Sequence, residues 1–345
     1  MPASSRTWHQ FRATLIWFYQ ARLIKPYCSH RTTATDSLTT ALHAASLLFT
    51  ADFRDPAHSD VQTGMPARLI IQNPEVLRIT SYLIKATSMV FPRINSLIES
   101  AASDTPSFPR TDIFNETWLV RLIVDWFANN NATNFPLTFA PNACWFSEAL
   151  LPSAFLARTR GDSLAESWTH ADAIIGHFNI GTTGKADCTL TPNANQFVVI
   201  EAKIFSPLSP NVKNADYYDQ CARNVACVAE TLCRAGHSPD AIDPLAFYVL
   251  APASQIDAGV FATEIQKTSI QHKVKRRVDA YGGFHDSWFT DSFLPLLERI
   301  DVQSLSWETV IGHIHAHDPD FGDQIRAYYH KCLEFNGSDS NEKTK

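Results

Sequence analysis

An acid and a base two residues apart on one strand are the most chemically suggestive feature of this chain. Within the segment KADCTLTPNANQFVVIEAK, residues 185–203, the run Phe197–Lys203 reads as a strand with side chains on alternating sides. Glu201 and Lys203 then share one face, and Val198, Ile200 and Ala202 form the other, apolar face. Asp187 stands on the preceding short strand, and a hairpin between the two would bring it beside Glu201. Two neighbouring carboxylates repel, and one of them is pushed toward its neutral form. A hard divalent cation removes that penalty, and oxygen ligands suit magnesium or manganese. The main-chain carbonyl of Ala202 is a further oxygen in the same region. Lys203, as a cation beside the ion, could hold or deprotonate a water, or offset charge on a phosphate. Glu116 lies three residues before Leu119 and four before Val120, on the core-facing side of an amphipathic helix. An unpaired carboxylate there is costly, and a metal partner would account for it.

This arrangement resembles the PD-(D/E)xK nuclease superfamily. The superfamily pattern is a helix acid, an Asp, then (D/E)-x-K on the next strand, followed by a helix. Here those positions read Glu116, Asp187, Glu201-Ala202-Lys203 and the helix over 215–235. The literal proline is absent, since Ala186 precedes Asp187. A Q-x-x-x-Y found in some branches is met by Gln220 but not by Asn224. The resemblance covers roughly residues 112–250. It implies a restriction-endonuclease-like α/β core, a mixed sheet flanked by helices, preceded by a mainly helical N-terminal region. It also implies phosphodiester hydrolysis dependent on Mg²⁺ (or Mn²⁺), with nucleic acid, and DNA in the first place, as partner. Asp187 and Glu201 would bind the metal, with Glu116 and the Ala202 carbonyl completing the set. Lys203 would serve the attacking water, and Gln220 would orient near the site.

Other residues compete for these roles. Asp172, which shares a strand face with His170, replaces Asp187 if the strands pair otherwise, and Glu148 can replace Glu116 as the outlying acid. His170, Asp172 and His177 together would suit a hydrolase using a transition metal. The bland alternative is a surface ion pair at a strand end. A rival from another class is the same fold without turnover, binding nucleic acid or a partner. The segment 267–277, KTSIQHKVKRR, holds Lys267, Lys273, Lys275, Arg276 and Arg277 with no acid. It is either a stripe for a phosphate backbone or a solvated helix face. His313, His315 and His317 would share a face on a strand, but their surroundings read as a helix, where only His313 and His317 align. Gly181–Lys185 lacks the first glycine and the final Ser/Thr of a phosphate loop.

The elements that must position these groups follow from periodicity. Helices are expected over 36–50, 74–101 (broken near Pro92), 112–128, 215–235, 263–280 and about 305–334, and strands over 171–180, 185–190, 196–204 and 246–250. Gly236 supplies the cap of the 215–235 helix and Pro239 follows it. Residues 102–110 read as a linker, so the domains expected are 1–110, 111–335 and a polar tail over 336–345.

Composition sets the outer bounds. The chain has 345 residues, 45% apolar and 19% charged, with a net charge of −6. That is a globular balance with ample core. A polyanion would have to be met by a local basic patch. The seven cysteines include no C-x-x-C and read as reduced thiols, with a cytoplasmic location as the expectation. No run is long and apolar enough for a membrane span. The first 31 residues hold Arg6, Arg12, Arg22, Lys25 and Arg31 and no acid, which suits a transit peptide, a basic arm or an early start codon.

Overall fold

The computed structural model describes residues 90–130, 134–182, 184–209 and 215–337. The helix expected over 36–50, most of the helix expected over 74–101, the basic N-terminal stretch and the tail beyond 337 lie outside the described residues. The chain divides into two compact units, Met1–Ser96 and Leu97–Lys345. Of the first, the described residues are helical. All that follows concerns the second.

That unit is built on a mixed sheet between two helical layers. Helix α1, Glu116–Asn129, is capped by Asn115, whose side chain accepts from Trp118 N–H. Strands β1 (Cys144–Leu151), β2 (Thr169–Gly176), β3 (Phe178–Ile180), β4 (Cys188–Leu190) and β5 (Phe197–Ala202) follow. Helix α2, Gln220–Ala235, starts at the side chain of Asp219, which accepts from Ala222 N–H, and ends at Gly236 in the left-handed region. Strand β6 is Leu245–Ala251, helix α3 Lys267–Asp279, strand β7 Asp301–Ser306, and helices α4 (Trp307–His317) and α5 (Pro319–Gly337) close the unit.

The main sheet has the order β1-β2-β5-β6-β7, and β3-β4 form a separate ribbon. β1, β2 and β5 are antiparallel neighbours, while β5, β6 and β7 run parallel. The parallel pairs need crossovers, and helices supply them. α2 and α3 cross over one face, packing on Phe197, Val199, Phe247 and Val249. α1, α4 and α5 cover the other face, over Val198, Ile200, Tyr248 and Leu250. β5 and β6 are therefore buried on both sides, as parallel strands in a layered α/β fold are.

Two strands lacked a sequence signal. β1 reads CWFSEALL, with an acid and a serine in its middle, and β7 reads DVQSLS, a half-exposed edge. The segment expected as one strand over 171–180 is divided at Gly176, whose φ of 151° no L side chain tolerates easily.

The pairing expected for Asp187 is not formed. The partner of β5 is β2, in the register Ala173↔Ile200, and not the strand that carries Asp187. Asp187 lies beyond the far edge of β1, where a single parallel bridge ties it to Leu150. β1 and β2 thus stand between it and β5. The physical reason lies in the loop Gly181–Lys185. Asp187 accepts from Thr182 Oγ1 at 2.9 Å and from Gly184 N–H, folding the loop onto its own carboxylate.

Candidate active site

The parallel pairing of β5 with β6 continues to Ala202↔Leu250, and Lys203 N–H extends it by donating to Leu250 O at 2.8 Å. The antiparallel pairing with β2 stops earlier, at Ala173↔Ile200. The next position of that register sets Asp172 against Glu201. Here the strands part, and the Asp172 side chain takes over the role of a backbone carbonyl: its Oδ2 accepts from Ala202 N–H at 2.7 Å. The alternation of β2 breaks at the same place, since Ala171 and Ile174 both pack toward the α2 side. One strand further out, the pairs Ser147↔Ala173 and Ala149↔Ala171 flank Glu148, which therefore stands opposite Asp172. Glu148 adopts a φ of 58°, outside the range normal for a strand. Glu148, Asp172 and Glu201 form a row of carboxylates across three adjacent strands.

Glu201 and Lys203 face α2 and are almost fully buried, at 3% and 7% exposure. Lys203 Nζ lies 2.7 Å from Glu201 Oε1. Gln220, on the first turn of α2, donates from Nε2 to the same oxygen at 2.7 Å. Asn224, one turn later, donates from Nδ2 to Glu201 Oε2 at 3.1 Å. Residues four apart share a helix face, so the Gln220–Asn224 spacing was the available signal for this second contact. The side chain oxygens of both amides, Gln220 Oε1 and Asn224 Oδ1, are buried without a hydrogen-bond partner.

The electrostatics follow from burial. Desolvation first, and then the charge of Glu201, push Asp172 from 3.8 up to about 8, with Glu148 adding to the rise and Lys203 opposing it. Glu201 is also raised, chiefly by desolvation, while Lys203 and Asn224 hold it down. Glu116, partly buried on the first turn of α1, adds its repulsion to Glu201. The rim beyond Glu148 carries His170, whose Nδ1 is 3.7 Å from Glu148 Oε2, and Arg121, whose Nε donates to Ser147 Oγ at 2.8 Å.

The structure thus brings Glu201, Lys203 and Gln220 together, with Asp172 beside them and Glu116 within electrostatic reach. It does not bring Asp187 to them. Among the described residues, no group of three or more His, Cys, Asp or Glu side chains is gathered closely enough to hold a metal ion. The donor set is instead two carboxylates with hard main-chain and amide oxygens nearby. That suits magnesium, which keeps much of its water and takes one or two protein carboxylates.

Of the basic stripe of α3, Arg277 and Lys273 are taken up within the fold, while Lys267, Lys275 and Arg276 stay exposed. Arg277 is fully buried, lies 5.3–5.9 Å from the ring centres of Tyr281, Phe155 and Tyr218, and donates to Leu164 O. It is a core cation and cannot reach a phosphate. Lys273 pairs with Asp219, Lys275 with Asp279, and Lys267 donates to Glu298 O at 2.9 Å. Arg276 stacks on Tyr217 at 3.7 Å. Of the histidine run, His313 stacks on Phe135 at 4.3 Å and His317 Nδ1 sits 2.9 Å from His313 O. His177 Nε2 is 3.0 Å from Pro141 O and belongs to the β2–β3 corner.

No family model, curated protein or solved structure matches the chain. The class that the fold itself defines is a mixed α/β protein with a five-stranded sheet flanked by helices. Among the described residues no helix is long and apolar enough to cross a membrane.

Proposed function

We propose that the second unit is a metal-dependent nuclease with a restriction-endonuclease-like core, in which Asp172 takes the place expected of Asp187. The observation that carries this is the convergence of Asp172, Glu201 and Lys203 where β2 and β5 part, with Gln220 of the following helix bonded to Glu201. The topology is consistent with it: an acid-x-Lys strand in mid-sheet, antiparallel to one neighbour and parallel to the other.

Asp172, Glu201 and the Ala202 carbonyl would hold Mg²⁺ or Mn²⁺, with Glu116 as an outlying acid. A bound divalent ion supplies Lewis-acid polarisation of the scissile phosphate and a more acidic water. The remaining work falls to the chain's own groups. Lys203 Nζ, held by Glu201, is placed to orient the attacking water and to meet negative charge as it develops on the phosphate. Gln220 and Asn224 fix the Glu201 carboxylate from opposite oxygens, so that it need not reorganise during the reaction. The buried setting strengthens each of these interactions.

A second reading, binding of nucleic acid without turnover, is favoured by one feature: both oxygens of Glu201 are engaged by side chains of the protein itself. One experiment separates the two. Purified full-length protein is incubated with single- and double-stranded DNA and RNA in Mg²⁺, Mn²⁺ or EDTA, beside Glu201→Gln and Lys203→Ala. Cleavage that needs the metal and is lost in both variants supports hydrolysis. Cleavage in EDTA, or cleavage surviving either substitution, defeats the mechanism.

A further inference from the structure

The two amides that hold Glu201 are each only half used. An ionised carboxylate accepts and does not donate, so it decides which end of each amide is the nitrogen. Asn224 turns its Nδ2 to Glu201 Oε2 at 3.1 Å, and Gln220 turns its Nε2 to Oε1 at 2.7 Å. The amide oxygens, Asn224 Oδ1 and Gln220 Oε1, are left buried with no hydrogen-bond partner among the described residues. Asn224 is 1% exposed as a whole, so bulk water does not serve it. A buried acceptor without a donor costs about 1–3 kcal/mol. The main-chain donors around Glu201 are already engaged: Ala202 N–H gives to Asp172, and Lys203 N–H to Leu250 O. Lys203 Nζ is turned to Glu201 Oε1.

What the two oxygens lack is a donor, and a water held by a divalent cation is a strong one and a poor acceptor. Reach decides whether an ion on Glu201 can serve them. Nitrogen and oxygen of one amide are about 2.3 Å apart, so Asn224 Oδ1 lies within about 5.4 Å of Glu201 Oε2. By the same measure Gln220 Oε1 lies within about 5 Å of Glu201 Oε1. A path from a carboxylate oxygen through Mg²⁺ and one of its waters to an acceptor spans up to about 7 Å. Both oxygens fall inside it.

We infer that Asn224 is a positioning residue for a hydrated ion: its Nδ2 holds Glu201 while its Oδ1 accepts from a metal-bound water, with Gln220 Oε1 as a second acceptor. The consequence is a choice of ion. Mg²⁺ dehydrates reluctantly and keeps several waters, whereas Ca²⁺ takes roughly six to eight oxygens in a looser shell. Acceptors that act through water favour the ion that keeps it. The inference rests on the metal-dependent reading above and adds to it the selection of the ion.

The test is calorimetric titration of full-length wild type, Asn224→Leu and Asn224→Asp with Mg²⁺, Mn²⁺ and Ca²⁺, in the absence of nucleic acid. Thermal unfolding in EDTA checks that each variant is folded. Asn224→Leu removes both ends of the amide; Asn224→Asp removes the donor and keeps an oxygen in the acceptor's place. Asn224→Leu should bind Mg²⁺ and Mn²⁺ roughly 10- to 100-fold more weakly than wild type, with a clearly smaller loss for Ca²⁺. Asn224→Asp should bind Mg²⁺ at least as tightly as wild type. Equal losses for Mg²⁺ and Ca²⁺ would mean that Asn224 only supports Glu201, and would overturn the inference. So would Asn224→Leu binding like wild type, or Asn224→Asp weakened as far as Asn224→Leu. If Asn224→Leu does not fold, Asn224→Asp decides alone. Wild type that binds none of the three ions removes the metal-dependent reading and the inference with it, whereas ion binding indifferent to position 224 removes the inference and leaves that reading standing.

Discussion

Asp172→Asn is the substitution whose consequence is easiest to compute. Burial, with Glu201 and then Glu148, holds the Asp172 carboxyl at about 8 against 3.8 in a free side chain. Between those values the folded chain keeps a proton that the unfolded chain has released. Unfolding then releases a proton, so folded-state stability falls as pH rises from about 4 to about 8, and is level above that. At ~1.4 kcal/mol per pH unit the ceiling is about 6 kcal/mol; screening of this partly exposed side chain leaves roughly 3 kcal/mol. Asparagine is nearly isosteric, retains an acceptor for Ala202 N–H, and carries no charge. The variant should match wild type near pH 4 and exceed it by roughly 3 kcal/mol at pH 9 in EDTA. For a domain of this size that is about 6–12 °C in Tm. The assay is thermal and urea unfolding of both proteins across that pH range. Adding Mg²⁺ at pH 8 should raise the Tm of wild type and not of Asp172→Asn, because the ion replaces the missing positive charge only where the carboxylate pair exists. A stability gap that does not widen with pH, or one that reverses, would refute the burial of the Asp172 carboxyl beside Glu201.

Other outcomes follow from the same structure. Lys203→Met leaves Glu201 buried without its cation, and should cost ~3 kcal/mol at pH 8 but clearly less at pH 5, where Glu201 can hold a proton; urea titrations at the two values decide this. Arg277→Ala removes a fully buried guanidinium that neighbours Glu166, and should destabilise by ~3–5 kcal/mol while leaving the salt dependence of any nucleic-acid binding unchanged. Gly322→Ala would set a Cβ 2.4 Å from His315 Cα in the adjoining helix, and should lower Tm strongly. Gly312→Ala meets nothing within 4 Å, and should be neutral or stabilising by up to ~1 kcal/mol.

How far the sequence disclosed this arrangement depends on which residues are considered. The α2 helix was legible along its apolar face and at its C-terminal Gly236, but its start was not: the expected 215 gives way to Gln220, where the Asp219 side chain caps the first turn. The face shared by Glu201 and Lys203 was legible too, since strand alternation needs no tertiary information. The identity of the strand beside β5 was not. Register is set by which hydrophobic faces are buried together, and β5 is buried on both sides, so its own pattern carries no record of its partner. Asp187 and Asp172 therefore stood as alternatives, and only the Ala173↔Ile200 pairing separates them. Strands β1 and β7 went unseen for a related reason. As edges they keep polar residues, and Glu148 and Ser147 interrupt the alternation that would have announced β1. The cations of α3 look like a patch in one dimension, but the periodicity of the helix turns Arg277 inward with Ile270 and Val274.

The central claim is that one hard ion is bound where Asp172 and Glu201 meet beside Lys203. Crystals of the full-length protein soaked in Mn²⁺, with the anomalous signal recorded at the manganese edge, test it directly. The account predicts a peak within coordinating distance of the Asp172 and Glu201 carboxylates and the Ala202 carbonyl, lost in crystals of Asp172→Asn. A peak at Asp187, or none beside Glu201 at saturating Mn²⁺, would contradict it.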